Sequence, residues 1–129
     1  MQQSKTMTYA GWTLSVIVIL FLIMDLAMKF MRLPIVLTTT EQLGWPTSSV
    51  TTLAVLLLIS TALYAFPRTS VLGAILLTGY LGGAIATHVR IGSPLFSHVL
   101  FGAYLALFVW GGLYFRDSRI RALIPLRGN

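Results

Sequence analysis

The fold is decided by residues 10–31, which read AGWTLSVIVILFLIMDLAMKFM and reach their first charged group only at Asp25. A helix needs about 20 apolar residues to cross the hydrocarbon core of a bilayer, and this stretch is long enough. It exceeds the apolar segment of a secretory signal peptide, roughly 7 to 15 residues, and no A-x-A-like cleavage site follows it. We therefore predict a retained first transmembrane helix.

Three more apolar stretches follow, so that the four cover about residues 10–31, 50–66, 70–87 and 95–115. The composition agrees with four crossings, because 57% of the 129 residues are hydrophobic and 9% are charged. A soluble domain carries roughly 25% charged residues. The sequence predicts an all-α fold, a single domain that forms an integral membrane bundle of four transmembrane helices, with a basic tail over residues 116–129.

Basic residues indicate how the bundle is oriented. Six of the nine lie on the side of the two termini, and they are Lys5, Arg68, Arg116, Arg119, Arg121 and Arg127. The other three, Lys29, Arg32 and Arg90, lie on the opposite side. Short loops rich in Lys and Arg stay in the cytoplasm. We therefore predict that both termini are cytoplasmic and that the loop over residues 34–49, which turns at Gly44 and Pro46, faces outward.

The same basic residues stand singly at the ends of apolar stretches. No basic patch is interleaved with aromatic residues, so a nucleic-acid partner is not expected, and the partner of these charges is the lipid bilayer. The tail places Ile120, Leu123 and Ile124 at helical spacing. This spacing fits a short helix on the membrane surface, and a disordered tail is the alternative. Without cysteine the chain forms no disulfide and performs no thiol chemistry.

Ionisable groups near apolar stretches form the candidate site. Charges inside a bilayer are expensive, so those that occur usually face the bundle or a cavity. The predicted topology brings five ligand-binding candidates to the outward side, and these are Asp25, Lys29, Glu41, His88 and Arg90. Such a cluster in an apolar pocket suits a small ligand with a polar head group.

Two parts of this cluster also have a simpler interpretation. Lys29 stands one turn after Asp25 on the same helical face, so the two can pair and merely extend to the interface. His88 is the proton carrier of the set at neutral pH, although a His at a helix end is commonly only an interfacial residue. His98 shares no metal-ligand spacing with His88, and we predict no metal, haem or iron–sulfur centre.

Small residues predict where helices pack. Gly79 and Gly83 lie four residues apart in the third stretch, with Gly73 nearby, and Gly102 and Ala106 repeat this spacing in the fourth. Lipid tails are as apolar as leucine, so helices associate by close approach at small residues. We expect these residues to pack within the bundle, and Gly79 and Gly83 could equally serve a homodimer.

Three motifs stand out along the chain: Asp25 to Lys29 at the end of the first stretch, LGWP over residues 43–46, and ATHVRIG over residues 86–92. With these motifs the sequence resembles the DoxX-like family of small four-helix membrane proteins, over about residues 8–121. The resemblance implies a bundle in the cytoplasmic (inner) membrane of a prokaryote. It also implies a relation to a subunit of a thiosulfate:quinone oxidoreductase and to membrane proteins that assist redox enzymes.

The family's recurring polar positions fall on Lys29, Glu41 and His88, and the resemblance implies that these residues are functional. The main hypothesis is an accessory subunit that binds a quinone or lipid and supports a redox partner protein. We expect no intrinsic cofactor, and quinone is the candidate for one that binds reversibly. The alternatives are a small proton-coupled transporter that uses Asp25, and a membrane oxidoreductase subunit acting on quinone in which His88 works as acid or base with Asp25 or Glu41.

Overall fold

The computed structural model describes residues 4–126. Its helices are α1 (Lys5–Phe30), α2 (Pro34–Gln42), α3 (Ser49–Ala65), α4 (Ser70–Arg90), α5 (Phe101–Arg116) and α6 (Ser118–Leu123). A 3₁₀ turn, Pro67–Thr69, joins α3 to α4, and a π-helical turn, Leu95–Val99, precedes α5. No strand occurs in these residues, which confirms the all-α expectation.

Three helical segments are long and apolar enough to cross a bilayer: Lys5–Phe30, Pro67–Arg90 and Leu95–Arg116. The second predicted span corresponds to Ser49–Ala65, which has 17 residues and lies at the lower limit for crossing. Large apolar side chains cover the outside of the bundle, and examples are Leu20, Ile23, Ile59, Ile75 and Leu107. Such a surface suits lipid, because in lipid an apolar exterior carries no cost.

The four long helices form a ring in which α1 and α4 each pack against both α3 and α5. Successive helices run in opposite directions, so the bundle has two distinct ends. We call the end that holds Lys5, Ala65, Ser70 and Arg116 the tail end, because α6 follows there. The opposite end carries α2, and we call it the α2 end.

The tail end is closed by direct contact between helix backbones. A Cβ atom placed on Gly11 of α1 would lie 2.6 Å from the carbonyl oxygen of Gly112 on α5. Next to this crossing the buried Tyr64 hydroxyl donates to the Val109 carbonyl at 2.7 Å and lies 2.9 Å from Ser15 Oγ. These interhelical hydrogen bonds connect α1, α3 and α5 at the tail end.

The predicted packing of the small residues is confirmed in part. Gly73 contacts the backbone of Tyr64, and a Cβ on Gly102 would lie 3.0 Å from the Leu81 carbonyl oxygen. The prediction is wrong for Gly79 and Gly83 within this chain, because a Cβ on either would meet nothing within 4 Å. Spacing identifies a small face on a helix, but it does not say whether a neighbour reaches that face.

Residues 34–49, predicted as a loop, contain α2. Pro34 starts this helix at the position where its fixed φ is favourable and its missing N–H is not needed. Thr40 is buried and donates its hydroxyl to the Val36 carbonyl at 2.7 Å. The prediction failed because β-branched residues have modest helix propensity and the helix is only nine residues long.

Candidate functional site

A cavity of about 540 Å³ lies inside the α2 end of the bundle. Helices α1, α2, α3, α4 and α5 and the π-helical turn all contribute to its lining. Most of the lining is apolar, and representative side chains are Leu22, Met28, Val36, Leu53, Phe101 and Leu105. Gly79 and Gly83 also border it, and a Cβ on either would meet nothing within 4 Å.

One ion pair lines the cavity from α1. Lys29 Nζ donates to Asp25 Oδ2 at 2.6 Å, across one turn of the helix. Both residues are half-buried and both border the cavity. An ammonium group carries three N–H donors, so Lys29 retains donors for a ligand after it has bonded to Asp25. The pair therefore brings hydrogen-bonding capacity to the cavity with no net charge.

His88 lines the cavity from the C-terminal end of α4. Gly92 follows that end with φ +72°, a conformation that glycine adopts without strain. The chain then turns back, so that the Ser93 N–H donates to the His88 carbonyl at 3.0 Å and the Gly92 N–H to the Val89 carbonyl at 3.2 Å. The same turn places Ser93 Oγ 2.9 Å from His88 Nδ1, which fixes the ring and leaves Nε2 for a ligand.

His98 also borders the cavity, and sequence reasoning set it aside. It lies in the π-helical turn, where the Leu100 N–H donates to the Leu95 carbonyl at 2.9 Å. Its ring lies edge-on to that of His88, with 5.7 Å between the ring centroids. A π-helical turn at a functional site is a recurring feature of proteins. No local sequence pattern predicts that the His88 and His98 rings lie close together, because their proximity depends on how the chain turns after Gly92.

Tyr80 is a second lining residue that the sequence analysis did not name. Its hydroxyl makes no hydrogen bond to any residue within 4–126, and it lies within electrostatic reach of Asp25. A signal existed in the sequence, since Tyr80, Thr87 and His88 follow at intervals of seven and eight residues and so share one face of α4.

Two of the five predicted site residues lie outside this cavity. Arg90 is exposed, and its Nη2 donates to the Leu43 carbonyl at 2.6 Å. It borders a separate, shallower depression of about 250 Å³ beside Gly44 and Trp45. Glu41 is exposed on α2 and borders neither space. The structure thus brings Asp25, Lys29 and His88 to one cavity and leaves Glu41 and Arg90 outside it.

The donor set does not resemble a metal centre. Within residues 4–126 no group of three or more His, Asp or Glu side chains is placed to hold a metal ion. The polar lining instead offers N–H and O–H donors, from Lys29, Tyr80 and the two imidazoles. Such donors suit the carbonyl or hydroxyl oxygens of an organic ligand.

Comparison with known proteins identifies the family. The family model described as DoxX-like matches residues 13–112, which covers the cavity and every residue named in its lining. Neither a curated protein nor a solved structure matches the chain. The match extends over more than half of the sequence, and the helices are apolar enough to span a membrane. The chain is therefore a multi-pass membrane protein that belongs to the DoxX-like family.

Proposed function

We propose that the protein binds a membrane-soluble amphiphile, most suitably a quinone, in the cavity at the α2 end, and that it serves membrane redox chemistry as an accessory subunit. The observation that carries this proposal is the meeting of the Asp25–Lys29 pair and His88 at one apolar cavity of about 540 Å³. Ligand cavities of roughly 300–1,000 Å³ with mainly apolar walls and a few polar groups are typical of small-molecule sites.

The polar groups match the chemistry of a quinone head. A quinone presents carbonyl oxygens that accept hydrogen bonds, and Lys29 and Tyr80 offer N–H and O–H donors. His88 has its Nδ1 engaged by Ser93, so Nε2 is the atom that a ligand oxygen would meet. The apolar side chains would hold the ring and the start of a tail, which would then extend between the helices. The family resemblance to redox-associated membrane proteins supports a quinone over other amphiphiles.

We propose four crossings, with α3 as the shortest, and cytoplasmic termini in a bacterial inner membrane. The tail end holds five described basic residues, which are Lys5, Arg68, Arg116, Arg119 and Arg121. Asp117 is the single acid there, whereas the α2 end has three basic residues beside Asp25 and Glu41. This bias supports a cytoplasmic tail end.

Titration of the purified protein in detergent with a short-chain benzoquinone or naphthoquinone tests the binding. His88→Ala and Lys29→Ala each remove a donor, so each should raise the Kd roughly three- to tenfold, the effect of about one hydrogen bond. Glu41→Gln is the matched control, because Glu41 is exposed outside the cavity, and it should leave the Kd unchanged. No quinone binding by the parent protein, or equal losses in all three variants, would contradict the proposal.

The two alternative functions receive less support from the same residues. A proton-coupled transporter needs a carboxylate that is free to cycle, whereas Asp25 is bonded to Lys29 at 2.6 Å. An acid–base enzyme would place a carboxylate against His88, whereas the partners of His88 within residues 4–126 are Ser93 and His98. A binding role requires neither a free carboxylate nor a carboxylate against His88.

A further inference from the structure

We propose that Arg116, at the tail end, binds the phosphate group of an anionic phospholipid. Arg116 is the last residue of α5 and of the apolar segment Leu95–Arg116. The side chain therefore lies where the hydrocarbon-facing surface ends, which is the depth of lipid phosphates. This site is separate from the cavity, and it does not depend on the function proposed above.

The guanidinium group of Arg116 is held in place but has few hydrogen-bond acceptors. Its central carbon lies 3.9 Å from the centre of the Trp12 ring and 5.6 Å from that of Tyr64. Its Nη2 makes a long contact of 3.5 Å with Ser70 Oγ, its side chain interacts with the Tyr64 hydroxyl, and its Nε is buried without a partner. A guanidinium has five N–H donors in a planar fork that matches two phosphate oxygens.

The nearest acid in the sequence forms its salt bridge with another residue. Asp117 follows Arg116, but its Oδ1 accepts from the Arg119 backbone N–H at 2.9 Å and from Arg119 Nε at 3.1 Å. Its Oδ2 accepts from Arg119 Nη2 at 3.0 Å. No salt bridge to Arg116 occurs within residues 4–126. The Asp117 carboxylate acts on Arg116 electrostatically but does not hydrogen-bond to it, and a phosphate group would supply the hydrogen-bonded anion that Arg116 lacks.

The surroundings favour a lipid over a free phosphate ion. Further positive charge stands at the same end on the exposed Lys5. The segment that follows Arg116 exposes apolar side chains, which are Leu123, Ile124 and Leu126. An acyl chain can contact these residues while the head group meets the arginine, and basic pockets between transmembrane helices are known to bind anionic head groups in this way.

Native mass spectrometry of the full chain with phosphatidylglycerol or phosphatidylcholine tests the site. Arg116→Gln should weaken phosphatidylglycerol binding about tenfold, the scale of a lost charge-assisted contact, and leave phosphatidylcholine unaffected. Arg68→Gln makes the same change of charge at an exposed position of the same end, and it should change binding by less than about twofold. Equal losses in both variants, or none in Arg116→Gln, would overturn the proposal.

A second measurement uses the unmodified sequence and so does not depend on the folding of a variant. Phenylglyoxal modifies accessible guanidinium groups, and peptide mapping gives the extent at each arginine. Phosphatidylglycerol should protect Arg116 severalfold more than Arg68, and phosphatidylcholine should protect neither. Equal protection of both arginines would overturn the site, and equal protection of Arg116 by inorganic phosphate would overturn its assignment to a lipid.

Discussion

Glycines at the two ends of the bundle face different surroundings. At the tail end, Gly11 and Gly112 bring the backbones of α1 and α5 into contact beside the buried Tyr64. At the α2 end, Gly79 and Gly83 face a cavity, and a Cβ on either would meet nothing within 4 Å. The same residue type thus closes one end and leaves room at the other. A glycine in a transmembrane helix is therefore interpreted correctly only when the atoms opposite it are known.

Alanine substitution at one glycine of each end should give the largest difference. Gly112→Ala places a Cβ against Ser15 Oγ and 3.0 Å from the Tyr64 hydroxyl, so it should lower the free energy of unfolding by about 3 kcal/mol. Gly83→Ala meets no neighbour and should be neutral or stabilising, by up to about 1 kcal/mol, because Ala is the better helix former. Chemical unfolding in detergent measures both, and a similar loss in the two variants would refute the contrast.

Filling the cavity tests whether its space is used. Gly83→Leu inserts a large side chain where a Cβ meets nothing, so the fold should persist while the quinone Kd rises by at least roughly tenfold. Circular dichroism verifies the helix content, and Val71→Leu, on the exposed surface of α4, is the control for added volume. A variant that binds quinone normally would show that the ligand lies elsewhere.

Removing the hydroxyl of Tyr64 should have a smaller effect at the tail end. Tyr64→Phe loses the contacts to Ser15 and to the Val109 carbonyl, and interhelical hydrogen bonds in membranes contribute about 0.6 to 1.7 kcal/mol. We expect a loss of about 1 kcal/mol in the same unfolding assay. Tyr9→Phe, at a side chain that is 69% exposed, should change nothing, and an equal loss there would mean that the network adds no stability.

Acidification should have the smallest effect, confined to α6. The hydrogen bond from the Arg119 side chain, with the Arg119 backbone N–H, holds the pKa of Asp117 below its ordinary value of 3.8. A carboxyl group with a lowered pKa stabilises the fold above its ordinary value, and this contribution is lost as the pH falls through the lowered pKa. Amide exchange of α6 should therefore speed up below about pH 4. Asp117→Asn should remove this pH dependence, and persistence of the dependence in the variant would exclude Asp117 as its source.

Hydropathy and length predicted the long helices well, because a helix that contacts lipid needs a continuous run of apolar residues, and such a run is visible in the sequence. Contacts between distant segments left no such signal. The nine residues between His88 and His98 include the Gly92 turn and the start of the π-helical turn, and no spacing in the sequence predicts their combined geometry. The stacking of Arg116 on Trp12 joins the two ends of the chain in the same way.

The site itself was partly predictable. Asp25 and Lys29 lie on one turn of one helix, so their pairing follows from local geometry. Arg90 was expected at the site because it stands two residues after His88, yet that step rotates it by about 200° around α4. It therefore reaches the Leu43 carbonyl instead of the cavity. Position along a helix predicted which end of the bundle holds these residues, and their angular position separates the lining residues from their neighbours.

The glycine crossing at the tail end bears on how a ligand of the proposed site would enter and leave. Gly11 lies against Gly112, and Tyr64 is hydrogen-bonded across the helices. The helices are therefore in direct contact on the tail-end side of the cavity. A ligand of the proposed site would therefore enter and leave at the α2 end or laterally from the lipid. Passage from one end of the bundle to the other would first require these helix contacts to separate.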